Sequence, residues 1–318
     1  MSRVLVTGSL GQIGTELVEA LRARHGADRV IPTSIRTHDR DEADEPQFEL
    51  LDVRDARRLR ELVELHEIDT IYHLASVLSA VAEAQPQRAW EINMGGLVNV
   101  LEVAREAGCA VFFPSSIGAF GPLTPRVDTP QNTIQRPTTI YGVTKVSGEL
   151  LCDYYHSRFG VDTRGLRYPG LISYVAPPGG GTTDYAVDIF YAALREGRYT
   201  CFLRADTRLD MMYMPDALDA AMELMAADPD RLRHRNAYNV TGMSVTPEEI
   251  AGEIRRHLPS FEIDYDIDPV RQAIADSWPD SLDDSAARAE WGWSPSYDLA
   301  ALTADMLAKL ERKMSTTA

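Results

Sequence analysis

The chain has 318 residues, 48 acidic and 32 basic, for a formal net charge of −16, with 44% apolar and 25% charged residues. That balance describes a folded globular chain of about two domain-sized units and excludes a disordered one, and the absence of any basic stripe speaks against nucleic acid as a partner. No apolar run approaches the ~18 residues of a membrane span, MSRVLVTG lacks a signal-peptide layout, and Cys109, Cys152 and Cys201 are too few and too scattered for a disulfide framework or a metal site. The expectation is a cytoplasmic protein that works without metal, membrane or nucleic acid.

Strand and helix periods alternate through the first half. Arg3–Val6 reads as a short apolar strand, and from Gly11 to Arg24 the apolar Ile13, Leu17, Val18 and Leu21 recur at helical spacing. Arg29–Thr33 reads as a second strand, Asp55–His66 as an amphipathic helix, Thr70–Ala75 as a strand, Ala84–Glu106 as a long helix and Ala110–Ser115 as a further strand. Strands this apolar, alternating with helices, predict an α/β fold: a Rossmann-type, doubly wound parallel sheet covered on both faces. The polar stretch His38–Glu49 reads as a solvated loop. Beyond residue 170 the pattern changes to a Pro/Gly-rich segment at Tyr174–Thr183, a helix at Asp184–Glu196, and short elements broken by prolines. This predicts a cofactor-binding domain over residues 1–170 and a smaller C-terminal substrate-binding lobe over 171–318, with the chain free to re-enter the first domain.

Thr7-Gly8-Ser9-Leu10-Gly11-Gln12-Ile13-Gly14 follows the first strand and opens the first helix. Glycines at this spacing let the backbone turn tightly and approach a pyrophosphate, whose charge then meets a helix N-terminus. The acidic residue expected after the second strand, where it would hold the adenosine ribose of NAD, is missing: the sequence is Ile31-Pro32-Thr33-Ser34-Ile35-Arg36. Ser34 can bond a ribose hydroxyl. Arg36 can stack on adenine or pair with a 2′-phosphate, so NADP stays open beside NAD.

Tyr141-Gly-Val-Thr-Lys145 opens a helix running to about Phe159, and residues four apart share a helix face. A phenol with an ordinary pKa near 10 is a poor base at neutral pH. A neighbouring ammonium favours the phenolate and so supplies a reversible proton acceptor for an alcohol. The composition sharpens this reading: the chain has 29 arginines and only three lysines, Lys145, Lys309 and Lys313. Upstream, Ser115 and Ser116 end a strand at the carboxyl edge of the sheet, where open α/β sheets bind ligands; a serine there can stabilise charge developing on a substrate oxygen.

The glycine pattern, the serine 25 positions before Tyr141 and the Tyr-x-x-x-Lys motif together resemble the extended short-chain dehydrogenase/reductase family. Leu166-Arg167-Tyr168-Pro169, Ser281–Ala287 and Trp291-Gly-Trp-Ser-Pro295 are similar to it as well. A narrower resemblance is to short-chain-type L-threonine 3-dehydrogenases, on His73-Leu-Ala-Ser-Val-Leu-Ser-Ala80, Pro177-Pro-Gly-Gly-Gly-Thr-Thr-Asp-Tyr185 and Thr207-Arg-Leu-Asp-Met-Met-Tyr-Met214. The resemblance implies NAD as cofactor, held by Gly8, Gly11, Gln12, Ile13, Gly14, Ser34, Arg36, Asp52, Val53, Leu74, Ala75, Asn93, Tyr141, Lys145, Tyr168 and Pro169. It implies Ser116, Tyr141 and Lys145 as the catalytic group acting on the β-hydroxyl of L-threonine, and a homodimer built on the two long helices. For the substrate head group, Ser79, Thr183 and the amides around Gly181 are candidates; Thr183 can equally cap the helix that follows, and the Pro/Gly loop is long enough for a lid. Two other readings share these residues: a nucleotide-sugar epimerase or dehydratase, with Arg204 and Arg208 available to a diphosphate, and a non-catalytic NAD-sensing protein.

Overall fold

The computed structural model describes residues 2–36, 47–175 and 181–317. Pro177, Pro178, Gly179 and Gly180 of the Pro/Gly stretch, and 37–46 of the polar stretch, lie outside the described residues. In chain order the elements are β1 Val4–Thr7, α1 Gln12–His25, β2 Val30–Ser34, β3 Glu49–Leu50, α2 Ala56–Leu65, β4 Thr70–His73, α3 Ser79–Ala84, α4 Pro86–Trp90, α5 Gly96–Ala107, β5 Ala110–Ser116, α6 Ile140–Phe159 and β6 Thr163–Tyr168. They continue as β7 Gly170–Ile172, α7 Tyr185–Glu196, β8 Arg198–Cys201, β9 Leu209–Tyr213, α8 Met214–Ala226, β10 Tyr238–Asn239, β11 Met243–Val245, α9 Pro247–His257, β12 Glu262–Tyr265, α10 Pro269–Asp276, α11 Ser285–Trp291 and α12 Leu299–Thr317.

Two compact units result. The first comprises 1–119, 139–167 and 218–238; the second comprises 120–138, 168–217 and 239–318. A seven-stranded sheet runs in the order β10-β6-β5-β4-β1-β2-β3, and its pairings from β3 through β2, β1 and β4 to β5 are parallel. All four residues of β1 and all five of β2 are buried, as strands covered by helices on both faces must be. Leu5, Ile31, Leu62, Ile71, Leu101 and Val111 form part of one core joining the strands to α2 and α5. The strand order reverses between β1 and β4, which makes the crevice beyond their carboxyl ends the ligand-binding position of such a sheet.

Three departures from the sequence reading have local causes. Where the polar stretch ends, Glu49 and the following Leu50 pair with Thr33 and Ser34 as a two-residue edge strand, too short to leave a period in sequence. The long helix runs unbroken from Pro86 to Ala107 but is not α throughout: α4 and α5 are joined through a π-helical turn at Glu91–Gly95, a wider turn frequent at functional positions. The helix expected from Asp184 begins at Tyr185, and Asp184 itself, not Thr183, is its N-cap residue.

The second unit holds a three-stranded sheet, β11-β9-β7, and a two-stranded one, β12-β8, with α7, α9 and α12 packed on one another. The two C-terminal lysines have defined places in it. Lys309 pairs with Asp305 at 2.9 Å and lies 4.7 Å from the centre of the Tyr174 ring. Lys313 donates to the carbonyls of Tyr174 and Val175 at 3.0 and 2.8 Å. Among the described residues no helix is long and apolar enough to cross a membrane, and no cluster of three metal-ligating side chains occurs.

Candidate active site

The glycine loop leaves β1 and closes against the end of β4. Gly8 has φ +69°, and a Cβ there would lie 2.8 Å from the amide nitrogen of Ala75, so both the backbone conformation and the approach of the Leu74–Ala75 strand end require glycine. Gly14 is equally closed, because its Cβ would lie 2.7 Å from the Ser9 Cα. Gly11, by contrast, is exposed and stands at the N-cap of α1, a helix with no side-chain cap and no acid in its first turn. The Ser9 hydroxyl is buried without a protein partner. A cradle closed to side chains, a 14-residue helix open at its N-terminus and an unpaired buried hydroxyl together fit the pyrophosphate of a dinucleotide.

Thr7 ties the two strand ends together. Its Oγ1 accepts from the Ala75 N–H at 3.2 Å and bonds His73 Nδ1 at 3.0 Å. Burial, with the charge of Lys145 adding to it, pushes His73 down to about 3, so it works as a neutral ring. The remaining expected cofactor residues differ in their availability. Ser34 is buried, and its Oγ accepts from the Arg36 N–H at 3.3 Å; Arg36 is exposed. Asp52 is clasped by Arg54, with contacts of 2.6 and 3.1 Å that hold its carboxyl below the usual range. Val53 is the residue against which Gly96 packs without a side chain. Asn93 sits in the π turn with its amide committed to the protein: Oδ1 accepts from Val77 N–H at 2.7 Å, and Nδ2 donates to Val77 O and Thr144 Oγ1, both at 3.2 Å. It therefore holds the strand-end loop to α6.

α6 starts on a capped turn. Thr139 accepts from Gly142 N–H at 3.1 Å, and Ile140 N–H donates to Glu83 at 2.7 Å. Thr144 Oγ1 donates to the Tyr141 carbonyl at 2.8 Å, which fixes the turn carrying the phenol. Ser116, at the end of β5, accepts from Gly118 N–H at 3.1 Å and acts on the Tyr141 phenol in the sense that favours phenolate. Gly118 has to be small: a Cβ there would lie 3.1 Å from Tyr141 Cε1. Lys145 is buried and donates to Pro114 O at 2.7 Å, its Nζ lying 5.4 Å from the Tyr141 ring centre and 5.0 Å from that of Phe113. A small cleft of about 10 Å³ is lined by His73, Ala75, Ser76, Asn93, Phe113, Thr144 and Lys145.

One expectation is corrected here. Tyr141 is pushed up to about 12 by burial, against which Ser116 works, while burial brings Lys145 down to about 8. Lys145 does not bring the phenol below its ordinary value. Desolvation outweighs the effect of Ser116, and in the protein alone the Tyr141 phenol is neutral.

Sequence reasoning passed over Glu149 and Arg167. Both are buried and paired at 2.9 Å, and Ser115 donates to Glu149 as well. The signal was present: Tyr141, Lys145 and Glu149 recur every fourth residue along one face. In the second unit, Tyr168 is buried with its hydroxyl donating to Ala217 O at 2.7 Å, and Pro169 is buried. A Cβ on the adjoining Gly170 would lie 2.8 Å from Thr183 Cγ2. The Gly181 N–H donates to Asp184 at 2.7 Å and so already has a partner. Ser79 is buried in the first turn of α3.

Residues 4–241 match the NAD dependent epimerase/dehydratase family. The chain belongs to that family. Among solved structures it is similar to the L-threonine dehydrogenase of Clostridium difficile, with 58% identity, TM-score 0.97 and 98% of each chain covered. It is similar to that of Phytophthora infestans, with 51% identity, TM-score 0.95 and coverage of 98% of this chain and 100% of the other. The holo form of the Cupriavidus necator L-threonine dehydrogenase is 52% identical at TM-score 0.94, covering 97% and 99% of the two chains. A curated relative, an uncharacterized epimerase/dehydratase of Staphylococcus haemolyticus, is 56% identical over 98% of this chain and 99% of its own. A UDP-glucose 4-epimerase of Thermotoga maritima shares the fold at 22% identity. As a member of this family the protein is an NAD-dependent oxidoreductase with a Rossmann-type sheet, and the closed glycine cradle is where its cofactor fits.

Proposed function

We propose that the protein is a cytoplasmic L-threonine 3-dehydrogenase that oxidises the β-hydroxyl of L-threonine to 2-amino-3-ketobutyrate. The observation that carries this reading is the similarity to solved threonine dehydrogenases along nearly the full chain, 58% identity at TM-score 0.97 in one case, joined to the Ser116–Tyr141–Lys145 arrangement. Bound NAD supplies the hydride acceptor and, in its oxidised form, a positive charge that favours a nearby phenolate. The residues do the rest. Tyr141 takes the hydroxyl proton of threonine as the β-carbon loses hydride, Ser116 bonds the same oxygen as charge develops on it, and Lys145 holds the cofactor ribose and the phenol's surroundings. Ser79 and Thr183 are the candidates for the amino-acid head group; Gly181, whose amide serves Asp184, is the weaker one.

The epimerase alternative needs free basic groups for a nucleoside diphosphate. Arg204 pairs with Asp276 at 2.9 Å and Arg208 with Glu249 at 2.6 Å, so both guanidinium groups are already neutralised. Mixing the protein with NAD and L-threonine and following NADH absorbance tests the proposal. Threonine-dependent NADH formation, with a much weaker response to NADP, is the expected result. Silence toward threonine together with turnover of a nucleotide sugar overturns it.

We also propose a homodimer built on the outer face of α4, α5 and α6. Trp90 and Val98 on one side, and Val143, Leu150 and Tyr154 on the other, leave apolar side chains 38–62% exposed in two stripes. Exposed apolar side chains grouped on neighbouring helices support association. One similar structure, 44% identical, is a monomeric L-threonine 3-dehydrogenase, so the oligomeric state is a property to be measured for each chain.

A further inference from the structure

The face of α6 that carries Tyr141 and Lys145 continues one turn further to Glu149. Three successive residues of β5 meet that face: Pro114 O accepts from Lys145, the Ser115 hydroxyl donates to Glu149, and Ser116 lies with Tyr141 around Gly118. Glu149 is also gripped from β6. Arg167 Nε donates to Oε1 at 3.1 Å and Nη2 to Oε2 at 2.9 Å, a two-pronged contact that fixes the carboxylate plane. Lys145 and Arg167 are each 6% exposed and Glu149 is 3% exposed. Apolar side chains would fill this space at least as stably, since desolvation of a buried ion pair commonly cancels its attraction. Three buried charges beside the catalytic tyrosine therefore call for a role other than stability.

We propose that Glu149 is a positioning residue: its carboxylate, fixed by Ser115 and Arg167, keeps the buried Lys145 ammonium charged and directed at the catalytic site. The role of Lys145 in that statement rests on the dehydrogenase reading; the electrostatic coupling does not. Burial alone would strip the proton from Lys145 at moderate pH, and the Glu149 charge works against it, leaving the ammonium at about 8. The other charged groups on the surrounding elements do not supply this. His73 on β4 is neutral, Arg167 on β6 is a cation, Glu83 on α3 is bound to the Ile140 N–H at the start of α6, and Glu102 on α5 is bound to Tyr155 near its end.

The lysine scarcity makes a direct test practical. With only three lysines in the chain, ¹⁵N,¹³C-lysine labelling gives three side-chain resonances, and Lys145→Met identifies the buried one. The titration is run on the protein without NAD or threonine, so it stands or falls independently of the substrate assay. In Glu149→Gln the Lys145 midpoint is expected to fall by about one pH unit or more, the usual effect of removing a close opposite charge, while Lys309 and Lys313 keep theirs. The alkaline limb of kcat/KM then moves to lower pH by the same amount, a change that a purely structural role would not produce. An unchanged Lys145 midpoint in folded Glu149→Gln overturns the proposal. Should the unpaired Arg167 prevent folding, the double variant Glu149→Gln/Arg167→Met is compared with Arg167→Met alone, so that the loss of the cation is common to both: a lower Lys145 midpoint in the double variant supports the proposal, an equal one overturns it.

Discussion

Burial acts on Tyr141 and Lys145 in opposite directions. It raises an acid whose charged form is an anion and lowers a base whose charged form is a cation, which brings the phenol to about 12 and the ammonium to about 8. In the protein alone the phenol is therefore protonated, with the Lys145 Nζ 5.4 Å from its ring centre. Tyr141→Phe keeps the ring and its packing against Gly118 and removes only the proton carrier. Turnover is expected to fall by about 10²–10⁴-fold, the range of general acid–base catalysis, with NAD affinity by fluorescence titration largely retained. Substantial residual kcat would show that the proton leaves by another route. The tyrosine and lysine were readable in sequence because lysine is rare in this chain and a four-residue spacing is a face. Glu149 lies on the same four-residue spacing and was passed over because a glutamate inside a helix ordinarily belongs to its solvated side; its pairing with Arg167 on β6 shows that this one does not.

At the level of elements, the parallel sheet was readable because β1 and β2 are buried on both faces and so are apolar until their carboxyl ends, where Thr7, Thr33 and Ser34 stand. The π turn was not readable. It exists because Asn93 must reach both Val77 and Thr144, a requirement that depends on tertiary neighbours and leaves no period in the chain. A similar tertiary bond defines β9. The Asp210 side chain is buried, accepts from Thr241 at 2.6 Å and from the Leu282 N–H at 2.8 Å, and so joins β9 to two separate loops. Burial pushes this carboxyl up to about 8, in spite of those bonds. The sign follows from proton linkage. Between about pH 4, where the unfolded carboxyl ionises, and pH 8, the folded chain holds a proton that the unfolded chain has lost. This contribution is therefore complete at low pH and is lost as pH rises through that window. Asp210→Asn imitates the protonated acid, with an oxygen for Leu282 and an amide for Thr241. It should flatten the decline and raise Tm at pH 8 by about 2 °C or more, with little change at about pH 4 and below. A variant less stable than the parent at pH 8 would mean that Asp210 is charged in the folded state.

For the molecule as a whole, the proposed dimer sets two forces against each other. Each chain carries a formal charge of −16, so two of them repel. The exposed Val143, Leu150 and Tyr154 stripe on α6 and the Trp90–Val98 stripe beside it offer apolar surface to bury. The repulsion acts over a Debye length, which falls from about 30 Å at 0.01 M salt to about 8 Å at 0.15 M, whereas apolar burial is nearly insensitive to salt at these concentrations. Association is therefore expected to tighten as salt rises over this range, the opposite of a dimer held by ion pairs. Sedimentation at the two ionic strengths, with the parent chain and Leu150→Arg, reads both forces. The parent should run at twice the chain mass at 0.15 M and dissociate measurably at 0.01 M, and Leu150→Arg, 62% exposed in the single chain and so harmless to its fold, should run as a monomer throughout. A Leu150→Arg protein that still dimerises would place the interface elsewhere on the surface. A parent chain monomeric at both salts would align this protein with its monomeric relative. Turnover would then have to be complete within one chain.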